Sequence, residues 1–258
     1  MCHYNLEGMR NVLNLDDYDL EETLQIVSEF GSDCYGYLVT PNVDHVIRYY
    51  GHSQFRALYE QATYVLLDSR FLALIVRFFK GRVLRVCPGS DLTAGIFDSI
   101  IEPDDVAIMV GGSSEQAQVL RHRFGLRALH HIEPPMNFVR DPVAIHACVR
   151  AVESLSPFRF CFLAVGSPQQ EIVAQELKMR GIARGLALCV GASINFVTGI
   201  ERRAPSWVRR IGLEWLYRLS QNPKRLAYRY LVRGPRIFIL LWRIELRSKR
   251  LVASRESV

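Results

Sequence analysis

The sequence predicts an α/β protein with a Rossmann-like, mostly parallel sheet covered by helices on both faces, followed by a helical basic appendage. Through the middle of the chain, short apolar runs alternate with segments of helical length. That alternation is typical of a parallel sheet buried on both faces. The strand-like runs stop before about residue 204, and residues 201–258 are strongly basic. We therefore expect a domain boundary near residue 200, dividing residues 1–200 from residues 201–258.

Six apolar runs rich in β-branched and aromatic residues are predicted strands, and Leu126–His131 is a candidate seventh. The six are Tyr35–Val39, Tyr64–Leu67, Val83–Cys87, Val106–Val110, Phe160–Val165 and Leu186–Val190. Segments of helical length lie between them, at Val43–Gln61, Glu115–Phe124, Val143–Ser154 and Glu171–Arg180. Three further helices are predicted at Ser206–Ser220, Pro223–Val232 and Pro235–Arg250, the last two opening on a proline.

Composition excludes several classes of protein. Of the 258 residues, 49% are hydrophobic and 22% charged, which indicates a globular chain. No apolar run approaches the roughly 20 residues of a membrane-spanning helix. Acidic residues at Glu7, Asp16 and Asp17 argue against a secretory signal. The six cysteines form no CxxC pair, and several lie in apolar runs, so we expect buried thiols in a cytosolic protein.

The charge is concentrated in the C-terminal part. Residues 201–258 hold 15 Lys or Arg against 4 Asp or Glu, a balance of +11, whereas the preceding 200 residues have a balance of −5. Tryptophan, tyrosine and aliphatic residues are interleaved with these cations, which is typical of a segment that lies at a membrane interface. A solvated helical face and a nucleic-acid partner are the alternatives.

Small and polar residues follow the predicted strands. Ligands of an open parallel sheet bind beyond the carboxyl ends of its strands, where glycine permits close approach and helix N-termini favour phosphate. The sequence therefore predicts a nucleotide or sugar-phosphate ligand. The residues at these ends include Thr40, Asn42, Asp68, Ser69, Arg70, Ser90, Asp91, Gly111, Gly112, Gly166, Gln170 and Gly191.

Each of these residues also has a structural interpretation. Ser90 or Asp91 is most simply a helix N-cap, and the same holds for the serines after Gly112. Asp68 is harder to explain, because an unpaired carboxylate directly after an apolar strand is costly. It is either a catalytic group or the salt-bridge partner of Arg70, and the local sequence leaves both open.

Familiar motifs of other enzyme classes are missing from the sequence. It contains no GxxxxGK[ST] of a P-loop NTPase, no GxGxxG after the first strand and no GxSxG elbow. The seven histidines show no ligand spacing, so we expect no metal site.

Several longer segments resemble the WecG/TagA/CpsF glycosyltransferases, in order from about residue 35 to about residue 245. The longest is RRAPSWVRRIGLEWLYRLSQNPKRLAYRYL at 202–231. The others are TPNVDHV (40–46), LLDSR (66–70), GRVLRVCPGSDL (81–92), VGSPQQE (165–171) and VGASINFVTG (190–199).

The resemblance implies an inverting, metal-independent transfer of a sugar from a UDP-sugar to a polyprenyl-diphosphate-linked glycan. It implies a peripheral protein on the inner face of the bacterial cytoplasmic membrane that needs no cofactor, with the basic appendage docking on the anionic surface and helping to close the active site. No nucleic-acid partner is then expected, and a homo-oligomer is left open.

The resemblance also implies roles for residues. Asp68 matches the family's proposed catalytic base, and Thr40 and Asn42 match polar residues beside it. Arg85 matches an arginine near the donor phosphates. The nucleotide-sugar pocket is matched by Gly111, Gly112, Gly166 and Gln170, with Asn195 near the sugar; Arg203, Arg210, Arg218, Arg225 and Arg229 are candidates for the acceptor diphosphate or the membrane.

Two positions depart from the family pattern. Asp68-Ser69-Arg70 stands where many members have Asp-Gly, and it resembles a branch linked to exopolysaccharide assembly, including glucosyl transfer. Ile194-Asn195-Phe196 stands where many have Phe-Asp-Phe, so an amide replaces a charge. The alternatives are a non-catalytic basic module that binds anionic lipid or nucleic acid, and a soluble UDP-sugar enzyme such as an epimerase. The epimerase would not need the basic aromatic segment and would normally have an NAD site.

Overall fold

The computed structural model describes residues 15–243, apart from the side chains of Lys80, Ser206, Arg225, Arg229 and Tyr230. Within that range, six parallel strands form one sheet in the order β2-β1-β6-β5-β3-β4. The predicted α/β class with a parallel sheet is confirmed. The strands are β1 (Tyr35–Val39), β2 (Tyr64–Val65), β3 (Ala107–Val110), β4 (Leu129–Ile132), β5 (Phe160–Leu163) and β6 (Gly185–Cys189).

Helices connect the strands and cover the sheet on both faces. They are α1 (Leu20–Glu29), α2 (Val43–Gly51), α3 (Ser53–Glu60), α4 (Arg70–Lys80), α5 (Gly89–Ser99), α6 (Ser114–Phe124), α7 (Pro142–Glu153), α8 (Gln169–Arg180) and α9 (Ser193–Val197), with a 3₁₀ turn at Phe138–Arg140. The described residues after β6 and α9 are helical or irregular: α10 (Ser206–Arg210), α11 (Glu214–Gln221), α12 (Pro223–Ala227), a π-helix at Tyr228–Arg233 and α13, residues 236–243.

Each face of the sheet has its own core. Along β1, Tyr37 and Val39 point to the face covered by α2, α3, α7 and α8, whereas Leu38 points to the face of α1, α5 and α6. All three side chains are almost fully buried. Each large apolar side chain buried in this way stabilises the fold by roughly 1.5–3 kcal/mol. The sheet is therefore a rigid platform, and the ends of its strands are fixed in position.

The predicted strand at Val83–Cys87 is not present, because residues 81–88 have no regular structure. Val83 is 74% exposed, and Arg82 and Arg85 are exposed beside it. Leu84, Val86 and Cys87 pack against the cores, but the segment pairs with none of the described strands. The segment runs past the end of β2, where the Cys87 N–H donates to the Leu67 carbonyl at 2.9 Å.

Two predicted helices are each divided in two. Val43–Gln61 is interrupted at His52, whose φ of −138° and ψ of 114° are extended rather than helical. Ser206–Ser220 is interrupted between α10 and α11, where Gly212 has a φ of +75° that favours glycine. The helix predicted at Pro235–Arg250 is described over residues 236–243, and its remainder lies outside the described residues.

Candidate active site

A cavity of about 740 Å³ opens beyond the carboxyl ends of β1, β2, β5 and β6. Its walls come both from the loops that follow these strands and from the helices after residue 205. The sheet contributes Thr40, Asn42, Asp68, Gly166, Gln170 and Gly191, and the C-terminal helices contribute Arg209, Trp215, Arg218, Arg233 and Phe238. All six residues of the first group were predicted to lie at the strand ends, and the structure brings them together. The resemblance assigned site roles to five of them, all except Gly191.

The Asp68 carboxylate is held at the wall of this cavity by the start of α5. The Gly89 N–H donates to Asp68 Oδ1 at 2.7 Å, and the Asp68 N–H donates to the Pro41 carbonyl at 3.0 Å. A Cβ at Gly89 would lie 2.7 Å from Thr40 Oγ1, so only glycine allows this approach. These contacts join the ends of β1 and β2 and fix the orientation of the carboxylate.

Asn42 and Asp44 form the start of α2 beside the cavity. Asn42 is the N-cap of that helix, and its side-chain oxygen accepts from the Asp44 N–H at 3.1 Å. Asp44 is buried and pairs with Arg48 at 2.8 Å and with Arg233 at 3.7 Å. Asn42 therefore has a structural role as well as a place in the cavity wall, and Asp44 links α2 to the π-helix.

A buried carboxyl group orients the amide of Gln170. Gln170 Nε2 donates to Glu171 Oε1 at 3.1 Å and to the Cys189 carbonyl at 3.4 Å. Since both partners are acceptors, the amide nitrogen must face them. Among the described residues no donor reaches Gln170 Oε1. Tyr59 O–H also donates to Glu171 Oε1, at 3.2 Å. Burial raises the pKa of Glu171, and the hydrogen bonds it accepts and the charge of Arg48 oppose that rise.

One carboxylate at the edge of the cavity binds three arginines. Asp91 lies 3.2 Å from Arg70, 3.0 Å from Arg209 and in direct contact with Arg203. Arg203 also donates to Ser90 Oγ at 2.9 Å. The expected N-cap role of Ser90 or Asp91 is wrong, because α5 begins at Gly89 and both side chains point to arginines instead. The serine after Gly112 does cap α6, in a capping box with Gln116.

The cavity is rich in positive charge. Arg218 lines it, pairs with Glu214 at 2.7 Å and lies over the Phe196 ring at 4.8 Å. Five arginines and three carboxylates line the cavity in total, so its formal charge is positive and suits an anionic ligand such as a diphosphate. The arginines are Arg48, Arg70, Arg209, Arg218 and Arg233; the carboxylates are Asp44, Asp68 and Glu214.

The structure does not bring Gly111, Gly112, Asn195 or Arg85 into the cavity wall. Gly111 and Gly112 follow β3 with φ of +86° and +71°. Asn195 lies nearby in a separate polar cluster, where it accepts from Gln116 at 2.9 Å and donates to Glu201 at 3.1 Å. Arg85 pairs with Glu22 on the surface, and its role beside the phosphates of the sugar donor stays a prediction.

The predicted acceptor and membrane arginines are divided between several environments. Arg218 is in the cavity wall, Arg203 is bound to Asp91, and Arg210 is exposed. The side chains of Arg225 and Arg229 lie outside the described residues.

Sequence reasoning missed Glu171, Arg48, Arg209 and Arg233 as cavity or supporting residues. Arg48 follows Asp44 by four residues, and that helical spacing was a usable signal. Arg209 and Arg233 belong to a series of similar cations in the basic segment. The neighbouring sequence does not distinguish the arginines that face the cavity from those that face solvent.

Within residues 15–243, no three His, Cys, Asp or Glu side chains form a group that could hold a metal ion. The described helices include none long and apolar enough to span a bilayer.

The sequence matches a family model over residues 10–251 of 258, and that model describes the glycosyl transferase WecG/TagA/CpsF family. The match covers both the α/β part and the C-terminal helices, so it includes every residue that lines the cavity. The chain therefore belongs to the WecG/TagA/CpsF glycosyltransferase family.

Proposed function

We propose that this chain is an inverting glycosyltransferase that moves a sugar from a UDP-sugar to a polyprenyl-diphosphate-linked acceptor, without a metal ion. The observation that carries the proposal is the Asp68 carboxylate, held by the Gly89 N–H at the wall of an arginine-rich cavity. Family membership supplies glycosyl transfer, and the donor, acceptor and mechanism are our inference.

In this mechanism Asp68 acts as the general base. The acceptor hydroxyl oxygen attacks the anomeric carbon, and Asp68 takes the hydroxyl proton as the new C–O bond forms. The bond to the UDP oxygen breaks on the opposite side, so the anomeric configuration inverts. Thr40 and Asn42 lie beside the base in the cavity wall, and Gly166 and Gln170 bound the space left for the sugar.

The leaving UDP takes the bonding electron pair and gains negative charge. Donors placed where that charge develops stabilise the transition state. Arg209, Arg218 and Arg233 line the cavity and can supply such donors. The base thus comes from the α/β part, and three candidate phosphate ligands come from the C-terminal helices.

The lipid-linked acceptor and the basic C-terminal helices support a peripheral location on the inner face of the bacterial cytoplasmic membrane. The product would belong to exopolysaccharide or other cell-surface polysaccharide biosynthesis, and Asp68-Ser69-Arg70 favours the exopolysaccharide branch, including glucosyl transfer.

A donor screen tests the proposal. Purified full-length chain is mixed with a polyprenyl-diphosphate-sugar acceptor and a panel of UDP-sugars, and released UDP is measured. We expect release with one donor and none from the Asp68→Ala variant. If the purified chain bound neither UDP nor any UDP-sugar, the result would contradict the proposal. It would favour the non-catalytic module that binds anionic lipid or nucleic acid.

A further inference from the structure

Helix α4 of the α/β part exposes large apolar side chains to solvent. Phe78 is 85% exposed, and Leu74 and Phe79 are about half exposed. Single exposed apolar residues are ordinary, but a cluster of aromatic ones marks an interaction site. The opposite side of α4 is buried by Leu72 and Val76, so the helix has two apolar sides and only one of them is covered.

The exposed side of α4 is continuous with the C-terminal helices. The Phe79 and Phe238 rings pack edge to face at 6.1 Å, and α13 exposes Ile239 and Trp242 beside Phe238. We call this surface, comprising Leu74, Phe78, Phe79, Phe238, Ile239 and Trp242, the aromatic face. It is built from both parts of the chain.

The two chain segments that carry the aromatic face are rich in positive charge. Residues 69–90, which include α4, contain five Lys or Arg and no Asp or Glu. Residues 215–243, which include α13, contain seven Lys or Arg and again no acidic residue. Aromatic side chains on segments rich in Lys and Arg complement an anionic bilayer surface. A second copy of the same face would instead bring like charges together.

We propose that the aromatic face inserts into the interface of an anionic lipid bilayer, and that α4 makes this contact together with α13. The basic C-terminal segment is then only half of the membrane-binding surface. Phe71 of α4 and Phe238 of α13 also line the cavity. Insertion therefore brings the cavity next to the bilayer, where a lipid-linked acceptor resides. The choice of lipid as the partner rests on the proposed function.

Vesicle binding of the full-length chain tests the proposal. The variant is Phe78→Ser, which should not disturb folding because the side chain is almost fully exposed. Its control is Met136→Ser, which is 92% exposed and follows β4, at the sheet edge opposite β2 and α4. Vesicles contain phosphatidylglycerol and phosphatidylethanolamine, and a second set contains only phosphatidylcholine.

We expect Phe78→Ser to lower the partition coefficient for the anionic vesicles about tenfold, and Met136→Ser to change it less than twofold. Wild-type binding should fall on phosphatidylcholine and at high salt. Equal binding of wild type and Phe78→Ser would overturn the proposal. So would a wild-type dimer that Phe78→Ser dissociates without any change in vesicle binding, because the face would then be a protein interface.

A second readout separates this proposal from the proposed function. UDP release is measured with a water-soluble short-chain acceptor and with a long-chain acceptor embedded in vesicles. We expect Phe78→Ser to be impaired relative to Met136→Ser only with the embedded acceptor. Equal impairment with both acceptors would overturn the membrane role. A wild type that is inactive with both but still binds vesicles would contradict the proposed function and leave the membrane contact standing.

Discussion

The α/β part and the C-terminal helices are held in place by different forces. Central strand residues of the α/β part, such as Tyr37, Ile108 and Phe160, are fully buried in two large cores. In residues 201–243 the described apolar side chains that are buried are few: Ala204, Val208, Leu226, Ile237 and Leu241. Exposed ones are more numerous and include Trp207, Ile211, Leu213, Leu216, Tyr228, Leu231, Val232, Phe238, Ile239 and Trp242.

Ion pairs help to hold the C-terminal segment against the α/β part. Arg203 and Arg209 bind Asp91, and Arg233 lies 3.7 Å from Asp44. Packing of apolar surface hardly depends on salt, whereas attraction between partly exposed charges is screened. We therefore expect the α/β part to tolerate charge changes and to be sensitive to steric ones. The attachment of the C-terminal helices should show the reverse.

Gly185→Ala should give the largest effect, because the added methyl group would clash with the backbone inside the α/β part. Gly185 has a φ of +123°, and an added Cβ would lie 2.0 Å from the Phe158 carbonyl oxygen. We expect a loss of about 4 kcal/mol or more in the free energy of unfolding, measured by urea denaturation. Gly181→Ala is the control, since its φ is +67° with nothing within 4 Å of the new Cβ. It should cost about 1 kcal/mol.

Asp91→Asn should loosen the C-terminal helices while leaving the α/β part folded. The substitution keeps the shape of the side chain but leaves three arginines without their shared counter-charge. Losing one partner of a largely buried ion pair costs about 3 kcal/mol. We expect faster tryptic cleavage between residues 202 and 218, and a Tm that falls much less than in Gly185→Ala. Cleavage at the wild-type rate would contradict the importance of this cluster.

Glu171→Gln removes a buried carboxyl group from the α/β part and should change how the stability of the protein depends on pH. Burial raises the pKa of Glu171 above its ordinary value of 4.5. The folded protein therefore binds this proton more tightly than the unfolded chain does. The stability that Glu171 contributes is complete below about pH 4.5 and is lost as pH rises through the folded pKa.

The glutamine variant cannot ionise at this position. Relative to the wild type, its free energy of unfolding should therefore increase as the pH rises from 4.5 to 7.5, as measured by urea titrations at both values. Parallel pH profiles for the two proteins would count against a raised pKa.

Asp104→Asn should give the smallest effect and is the charge control for Asp91→Asn. The Asp104 and Arg127 side chains form a pair at the surface and are 76% and 68% exposed. Exposed pairs contribute about 0–1 kcal/mol. We expect an unfolding free energy within 0.5 kcal/mol of the wild type and unchanged cleavage by trypsin. A loss similar to that of Asp91→Asn would mean that burial does not distinguish the two pairs.

The sequence was sufficient for the sheet because the strands carry their own signal. Tyr35–Val39 was predicted to the residue, since a fully buried strand reads as a continuous apolar run. The seventh candidate near Leu126–His131 proved to be β4. The strand predicted at Val83–Cys87 is wrong: its apolar residues suggest a strand, but the segment pairs with none of the described strands. The hydrophobic pattern of a segment does not show whether another strand is available to pair with it.

The cavity was only half predictable. Five cavity residues follow the carboxyl ends of strands, where ligands of a parallel sheet bind. The strand-end positions and the family resemblance therefore identified Thr40, Asn42, Asp68, Gly166 and Gln170. The cavity-facing arginines depend on how α10 to α13 pack against the sheet. That packing is set by contacts distant in sequence, such as Gly212 approaching Leu74 and Arg209 reaching Asp91.

Turnover by the Asp68→Asn variant tests whether Asp68 is the catalytic base. Asparagine keeps an oxygen that can accept from the Gly89 N–H, so the cavity wall should hold its shape while the base is lost. UDP release and UDP affinity are measured on the same preparation, with the donor identified by the screen. We predict that release falls at least about 100-fold and that UDP affinity stays within about threefold of the wild type. Turnover close to that of the wild type would show that Asp68 is not the base and would contradict the proposed mechanism.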